Sequence, residues 1–159
     1  LAYNFASLNF IIANPFRGKN MNNDELRKGL IKLAKLYADS AWNYERAIMI
    51  IQDEDFKNEL AKMHNNHIEH LERINLYIRD FGGGSLQAEL SEDLSEEMEV
   101  ITDDLSEEEI ILRLKKGEKA VAEKLQDLLE IVEIPELIQN LEEDLEDEDV
   151  YINTLRNFS

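Results

Sequence analysis

The sequence predicts an all-α protein, an antiparallel four-helix bundle, on three observations. Only six Gly and two Pro occur among 159 residues rich in Leu, Glu, Lys and Ala, a composition that favours helix over sheet. Four long stretches repeat their apolar residues at steps of three and four. Short turns join these stretches in two pairs, and one long connector joins the pairs. A chain of this length with 43% apolar and 33% charged residues holds one domain with a real core. We place that domain at residues 21–159, behind an apolar extension at residues 1–20.

The extension differs in composition from the rest of the chain. Leu1, Tyr3, Phe5, Leu8, Phe10, Ile11, Ile12 and Phe16 alternate with Asn4, Asn9 and Asn14, and no acidic residue occurs. Asparagine and Pro15 interrupt it too often for a membrane span, and it has neither the basic start nor the cleavage site of a signal peptide. Met21, followed by Asn-Asn-Asp-Glu, is a natural start. Residues 1–20 therefore read either as sequence upstream of the domain or as a segment that docks on a protein partner or a second copy, giving a homo-oligomer, a dimer.

The first helix is expected at 24–52, with the stripe Leu26, Leu30, Leu33, Tyr37, Ala41, Tyr44, Ile48, Ile51. Asp53-Glu54-Asp55 breaks the period and caps a second helix at 56–81, which stops at Gly82-Gly83-Gly84. Its stripe, Leu60, His67, Leu71, Ile74, Ile78, Phe81, contains a histidine, flanked by His64 and His70. Residues 82–105 form an acidic crossover in which Leu86, Leu90, Leu94 and Met98 fall four apart, a pattern for a short helix along the bundle. Ser106 and Glu109 make a capping box for a third helix at 107–133, whose stripe Ile111, Leu114, Glu118, Val121, Leu125, Leu128, Val132 contains one carboxylate. Pro135 opens the fourth helix, 135–157, with Leu137, Leu141, Leu145, Glu148, Ile152 and Leu155, again with one carboxylate.

Charge and missing residue types exclude several functions. Residues 1–85 carry 11 acidic and 11 basic side chains, residues 86–159 carry 24 and 6, and so the whole net charge of -18 lies in the second half. Nucleic acid needs clustered Lys and Arg, which are lacking, so it is excluded as a partner. Without cysteine there are no disulfides, thiolate metal sites or cysteine nucleophiles, and the cytoplasm is the expected compartment. No glycine-rich phosphate loop or Ser-His-Asp arrangement can be placed.

The interruptions of the four stripes lie at one level. At about 1.5 Å per residue, Tyr37, His67, Glu118 and Glu148 sit roughly 20–25 Å from the nearer turn, in mid-bundle. Ionised groups buried there need partners, either a metal ion or one another.

With these stretches, Ala41-Trp42-Asn43-Tyr44-Glu45-Arg46-Ala47, His67-Ile68-Glu69-His70-Leu71, Lys116-Gly117-Glu118-Lys119-Ala120 and Leu145-Glu146-Asp147-Glu148-Asp149-Val150-Tyr151, the chain resembles the ferritin-like superfamily over residues 24–157. The likeness is to its small rubrerythrin-like and bacterioferritin-like bundles. The resemblance implies a long crossover between the second and third helices. It also implies a centre in which two helices give a glutamate each and two give a Glu-x-x-His pair, holding two iron or manganese ions. Glu118, Glu148 and His70 stand where that pattern has the third-helix glutamate, the fourth-helix glutamate and the second-helix histidine. His67 replaces a glutamate and Tyr151 a histidine. Tyr37 takes the place of the first-helix glutamate, with Glu45 as the alternative.

Two carboxylates are too few to neutralise and bridge two divalent ions, which points to a single iron, zinc or manganese ion on His67, His70, Glu118 and Glu148. Tyr37, Glu45, His64 and Tyr151 are further contributors. Iron handling or defence against oxidative stress is the function implied by the resemblance, with or without enzyme activity. The alternative is a metal-free relic in which the histidines pair with the glutamates. The protein would then be a non-catalytic interaction module on the same scaffold.

Overall fold

The computed structural model describes residues 22–81 and 93–159. They form four helices: α1 at Asn22–Ile50, α2 at Glu54–Asp80, α3 at Glu107–Ile131 and α4 at Pro135–Asn157. Among the described residues there is no strand, and no helix is long and apolar enough to cross a membrane. The extension 1–20, the three glycines after α2, and Leu86 and Leu90 of the crossover lie outside the described residues.

Each boundary has a local cause. Asp24 and Glu25 in the first turn of α1, and Glu54 and Asp55 in that of α2, place negative charge at the positive end of the helix dipole. The Asp53 carboxylate accepts from the Phe56 amide at 2.7 Å, so α2 starts two residues earlier than the stripe predicts. The capping box of α3 is present as expected: Ser106 Oγ accepts from the Glu109 amide at 3.2 Å, and Glu109 accepts from the Ser106 amide at 2.8 Å. α3 ends at Ile131, two residues short of the expected end, where Val132 turns extended.

Helix α1 packs on both α2 and α3, and α3 packs on α4, whereas α2 and α4 approach each other closely over only a short length. Gly29 permits the α1–α3 contact, since a Cβ there would lie 2.5 Å from Leu128 Cδ2. The expected short helix in the connector is absent from residues 93–106. Side chains of α1 claim that backbone instead. Asp39, itself held by Lys35 at 2.7 Å, accepts from the Ser95 amide at 2.8 Å. Asn43 donates to the Glu99 carbonyl at 3.0 Å and accepts from the Ile101 amide at 3.1 Å. Met98 is thereby laid over buried Gly117, where an added Cβ would meet its sulfur at 2.9 Å.

The core is divided. One apolar cluster contains Leu30, Leu33, Ile74, Ile78, Val121, Leu125, Leu137 and Leu141. The other contains Ala47, Ile51, Phe56, Leu60, Ile110, Ile111, Leu114 and Leu155. Between them lies a buried polar layer of His67, His70, Glu118, Asp144 and Glu148.

Candidate functional site

Both histidines of the layer come from α2, where a three-residue step puts His67 and His70 on the same inward face. His67 Nε2 lies 2.9 and 3.1 Å from the two oxygens of Glu118 on α3. Its neighbours there are carboxylate oxygens, so Nε2 carries the proton and donates. The Tyr44 hydroxyl donates to the same carboxylate. Burial alone would raise the Glu118 pKa, but the charge and hydrogen bond of His67, with Tyr44 and the neighbouring Glu148 carboxyl, hold it down at about 2. Glu118 is thus an ionised partner of His67, already engaged on both oxygens.

His70 is arranged in the same way. Its Nε2 lies 3.3 Å from Asp144 and 3.3 Å from Asp147, both on α4. Asp144 is also bound by Arg73 and accepts from the Tyr37 hydroxyl at 3.0 Å. Burial lowers the His70 pKa, the nearby carboxylate of Asp144 opposing it, which favours the neutral imidazole.

Four buried polar atoms of this layer have no hydrogen-bond partner among the described residues: His67 Nδ1, His70 Nδ1 and both carboxyl oxygens of Glu148. A donor atom from each of His67, His70 and Glu148 lies within 4.8 Å of the other two, and His67 Nδ1 is 3.8 Å from Glu148 Oε1. Burial first, then the negative charge of Glu118 and proton sharing with its carboxylate, and then the charge of Asp144, push the Glu148 pKa well above the carboxylate range; the Glu118–Glu148 approach falls short of a full hydrogen bond. Glu118, Asp144 and Glu148 are all fully buried, and among the described residues Arg73 is the one basic side chain paired with any of them, the histidines aside.

Two imidazoles and a carboxylate suit a divalent transition metal, and each imidazole has its other nitrogen on a carboxylate, the usual support for a metal-bound histidine. Ligand atoms around a four-coordinate ion stand about 3.4 Å apart, given bonds of about 2.1 Å. The three donor atoms lie within 4.8 Å of one another, and their types suit the single divalent ion to which the carboxylate count points.

Of the residues marked in the sequence, His67, His70, Glu118 and Glu148 meet in one layer. Of the contributors named beside them, Glu45 and His64 lie apart from the layer, whereas Tyr37 and Tyr151 border it. Glu45 does not turn inward: it is exposed and bonds His64 Nε2 at 3.0 Å, which takes both residues out of the group. Tyr37 is engaged with Asp144, and the Tyr151 hydroxyl accepts from Asn66 at 2.7 Å while its ring lies edge-on to His67. Both tyrosine hydroxyls are held above their ordinary pKa, by burial first and by nearby carboxylates. They act as neutral hydrogen-bonding groups.

Sequence reasoning missed Asp144, Asp147, Arg73 and the role of Tyr44. In α4 the buried set runs Leu141, Asp144, Glu148, Tyr151, Leu155, in steps of three and four. The expected stripe took Leu145 and Ile152, which are only half-buried. Charged Asp144 is tolerated inside because Arg73, Tyr37 and His70 surround it.

The chain matches no protein-family model, no curated protein and no solved structure. What defines its class is therefore the four-helix, all-α architecture and the buried histidine–carboxylate layer.

Proposed function

We propose that the protein is a metal-binding bundle of the ferritin-like kind that holds one divalent iron, zinc or manganese ion through His67, His70 and Glu148. The observation that carries this reading is the convergence of three buried side chains whose remaining donor atoms have no protein partner among the described residues. Glu118 supports from outside the ligand set by fixing the His67 ring and its proton on Nε2, and Asp144 does so for His70. An ion held there would supply Lewis acidity and, for iron or manganese, a redox couple, chemistry that suits iron handling or oxidative-stress defence. The helices are read as an antiparallel bundle crossing over between α2 and α3. Three-residue turns at 51–53 and 132–134 and the strapping of residues 93–106 across α1 support that topology. Dimerisation through residues 1–20 and a cytoplasmic location belong to the same proposal.

The competing reading is a metal-free interaction module. It leaves Glu148 and two imidazole nitrogens unanswered in the core, at about 1–3 kcal/mol for each buried group. Metal content decides between them. Protein prepared without chelator or nickel resin should carry or take up one ion per chain, lost in Glu148→Leu. Absence of any bound or titratable metal in the wild type would establish the interaction module instead.

A further inference from the structure

The layer is buried, so an ion needs a way in, and the structure offers one seam. Between α2 and α4, flanked by the two apolar clusters, runs a line of polar pairs: Asn66 with Tyr151, His70 with Asp144 and Asp147, Arg73 with Asp144, and Asn140 with Tyr77 at 2.8 Å. These are also the two adjacent helices that approach closely over the shortest length. Polar pairs can part and exchange with water at far smaller cost than interlocked apolar side chains.

Within the seam, exposure is graded. The Asp147 side chain is 45% exposed, whereas those of His70, Asp144 and Glu148 are 7%, 1% and 0%. Donor atoms of His70, Asp144 and Asp147 lie within 4.8 Å of one another and form a second potential ligand group that shares His70 with the inner one. Beyond His70 lie the unpartnered oxygens of Glu148.

Resting on the metal reading above, we propose that a divalent cation enters between α2 and α4 and is first held by Asp147 with His70 before passing to the inner group. Asp147 captures the cation at the surface, because it is the one member of the group open to water. Arg73 is the competing cation on Asp144; its one-third-exposed side chain can swing outward as the ion arrives. His70 belongs to both positions but through different nitrogens, Nε2 facing Asp147 and Nδ1 being the one without a partner, so the hand-over needs movement of the His70 ring and transfer of its proton between the two nitrogens rather than rearrangement of a helix.

The test is Co(II) loading of the full chain by stopped flow, read by visible absorption, for wild type, Asp147→Asn and the control Glu146→Gln. Glu146 is exposed on the adjacent position of α4, so it samples the same general negative field. In Asp147→Asn both uptake and release should slow by about tenfold or more, with affinity and final spectrum changed by less than about threefold, whereas Glu146→Gln should load like wild type. Loading of Asp147→Asn at the wild-type rate overturns the route. So does a loss of affinity with unslowed release, which would make Asp147 a ligand of the final site. A wild type that binds no Co(II) at equilibrium overturns the metal reading itself, which the kinetic comparison alone does not touch.

Discussion

Replacing Glu148 with leucine should stabilise the metal-free protein while abolishing metal binding, a combination expected of a group kept for function. The side chain is fully buried and both its oxygens lack partners, so exchanging it for an apolar one of similar size should recover about 1–3 kcal/mol. Proton linkage adds to this gain. Glu148 has a folded-state pKa raised well above its unfolded value, by burial and then by Glu118 and Asp144. Its contribution is therefore complete below the unfolded carboxyl pKa of about 4.3 and is lost as pH rises toward the folded pKa. The loss continues with rising pH above that value for as long as the folded carboxyl keeps its proton. Leucine has no such slope. Urea unfolding followed by circular dichroism in the presence of chelator should show a larger gain for Glu148→Leu at pH 7 than at pH 5. At this chain length each kcal/mol raises Tm by about 2–4 °C. A variant less stable than wild type at both pH values, or an equal gain at both, would refute the reasoning. Retention of one Co(II) per chain at wild-type affinity would refute the ligand assignment.

Other substitutions test the same geometry. Glu118→Leu strands the His67 and Tyr44 donors and should destabilise the metal-free protein by about 3–5 kcal/mol in urea titrations. Because the Glu118 pKa is depressed to about 2, its contribution is present above the unfolded carboxyl range and lost as pH falls from about 4.3 through 2; acid unfolding of wild type should show this loss and that of Glu118→Leu should not. Wherever folded Glu148 keeps its raised-pKa proton, metal binding should displace it, so affinity should rise with pH and the heat of binding should vary with buffer ionisation enthalpy; chelation should remove about 2.7 kcal/mol of stability gained at a hundredfold excess of metal over Kd. Gly29→Ala drives a methyl group into Leu128 across the α1–α3 contact and should cost about 1–3 kcal/mol in urea titrations.

The helices were legible because their signals are local and redundant: an apolar period, the Asp53 cap, the Ser106–Glu109 box and Pro135 each mark the same boundaries. The level of the polar layer was legible as well, since His67, Glu118 and Glu148 each interrupt an apolar stripe. Its detailed wiring was not. Steps of three and four are equally helical, so Leu141 leads to Asp144 or to Leu145, and hydrophobicity favours the leucine. Only Arg73 and Tyr37, 71 and 107 residues away in sequence, make the aspartate the buried choice. The connector misled for a related reason. Its four-residue leucine period is compatible with helix, but Asp39 and Asn43 on α1 take the Ser95 and Ile101 amides, and nothing local to residues 93–101 records that demand.

The division of the core by a polar layer also fixes how the helices align lengthwise. Leucine-rich stripes alone are nearly self-similar, and a slip of one turn, about 5.4 Å, would bring leucine onto leucine again at little cost. With the layer in place such a slip is expensive. Moving α4 by one turn carries Asp144 away from Arg73 and Tyr37 and pushes Glu148 toward either the Leu137–Leu141 end or the Leu155 end, among side chains that cannot answer a carboxyl group. Sliding α3 does the same to Glu118 and leaves the His67 donor stranded. The polar layer therefore works as a keyway: the pairings that hold His67 and His70 in the core also select one axial register from the several that the apolar stripes would accept.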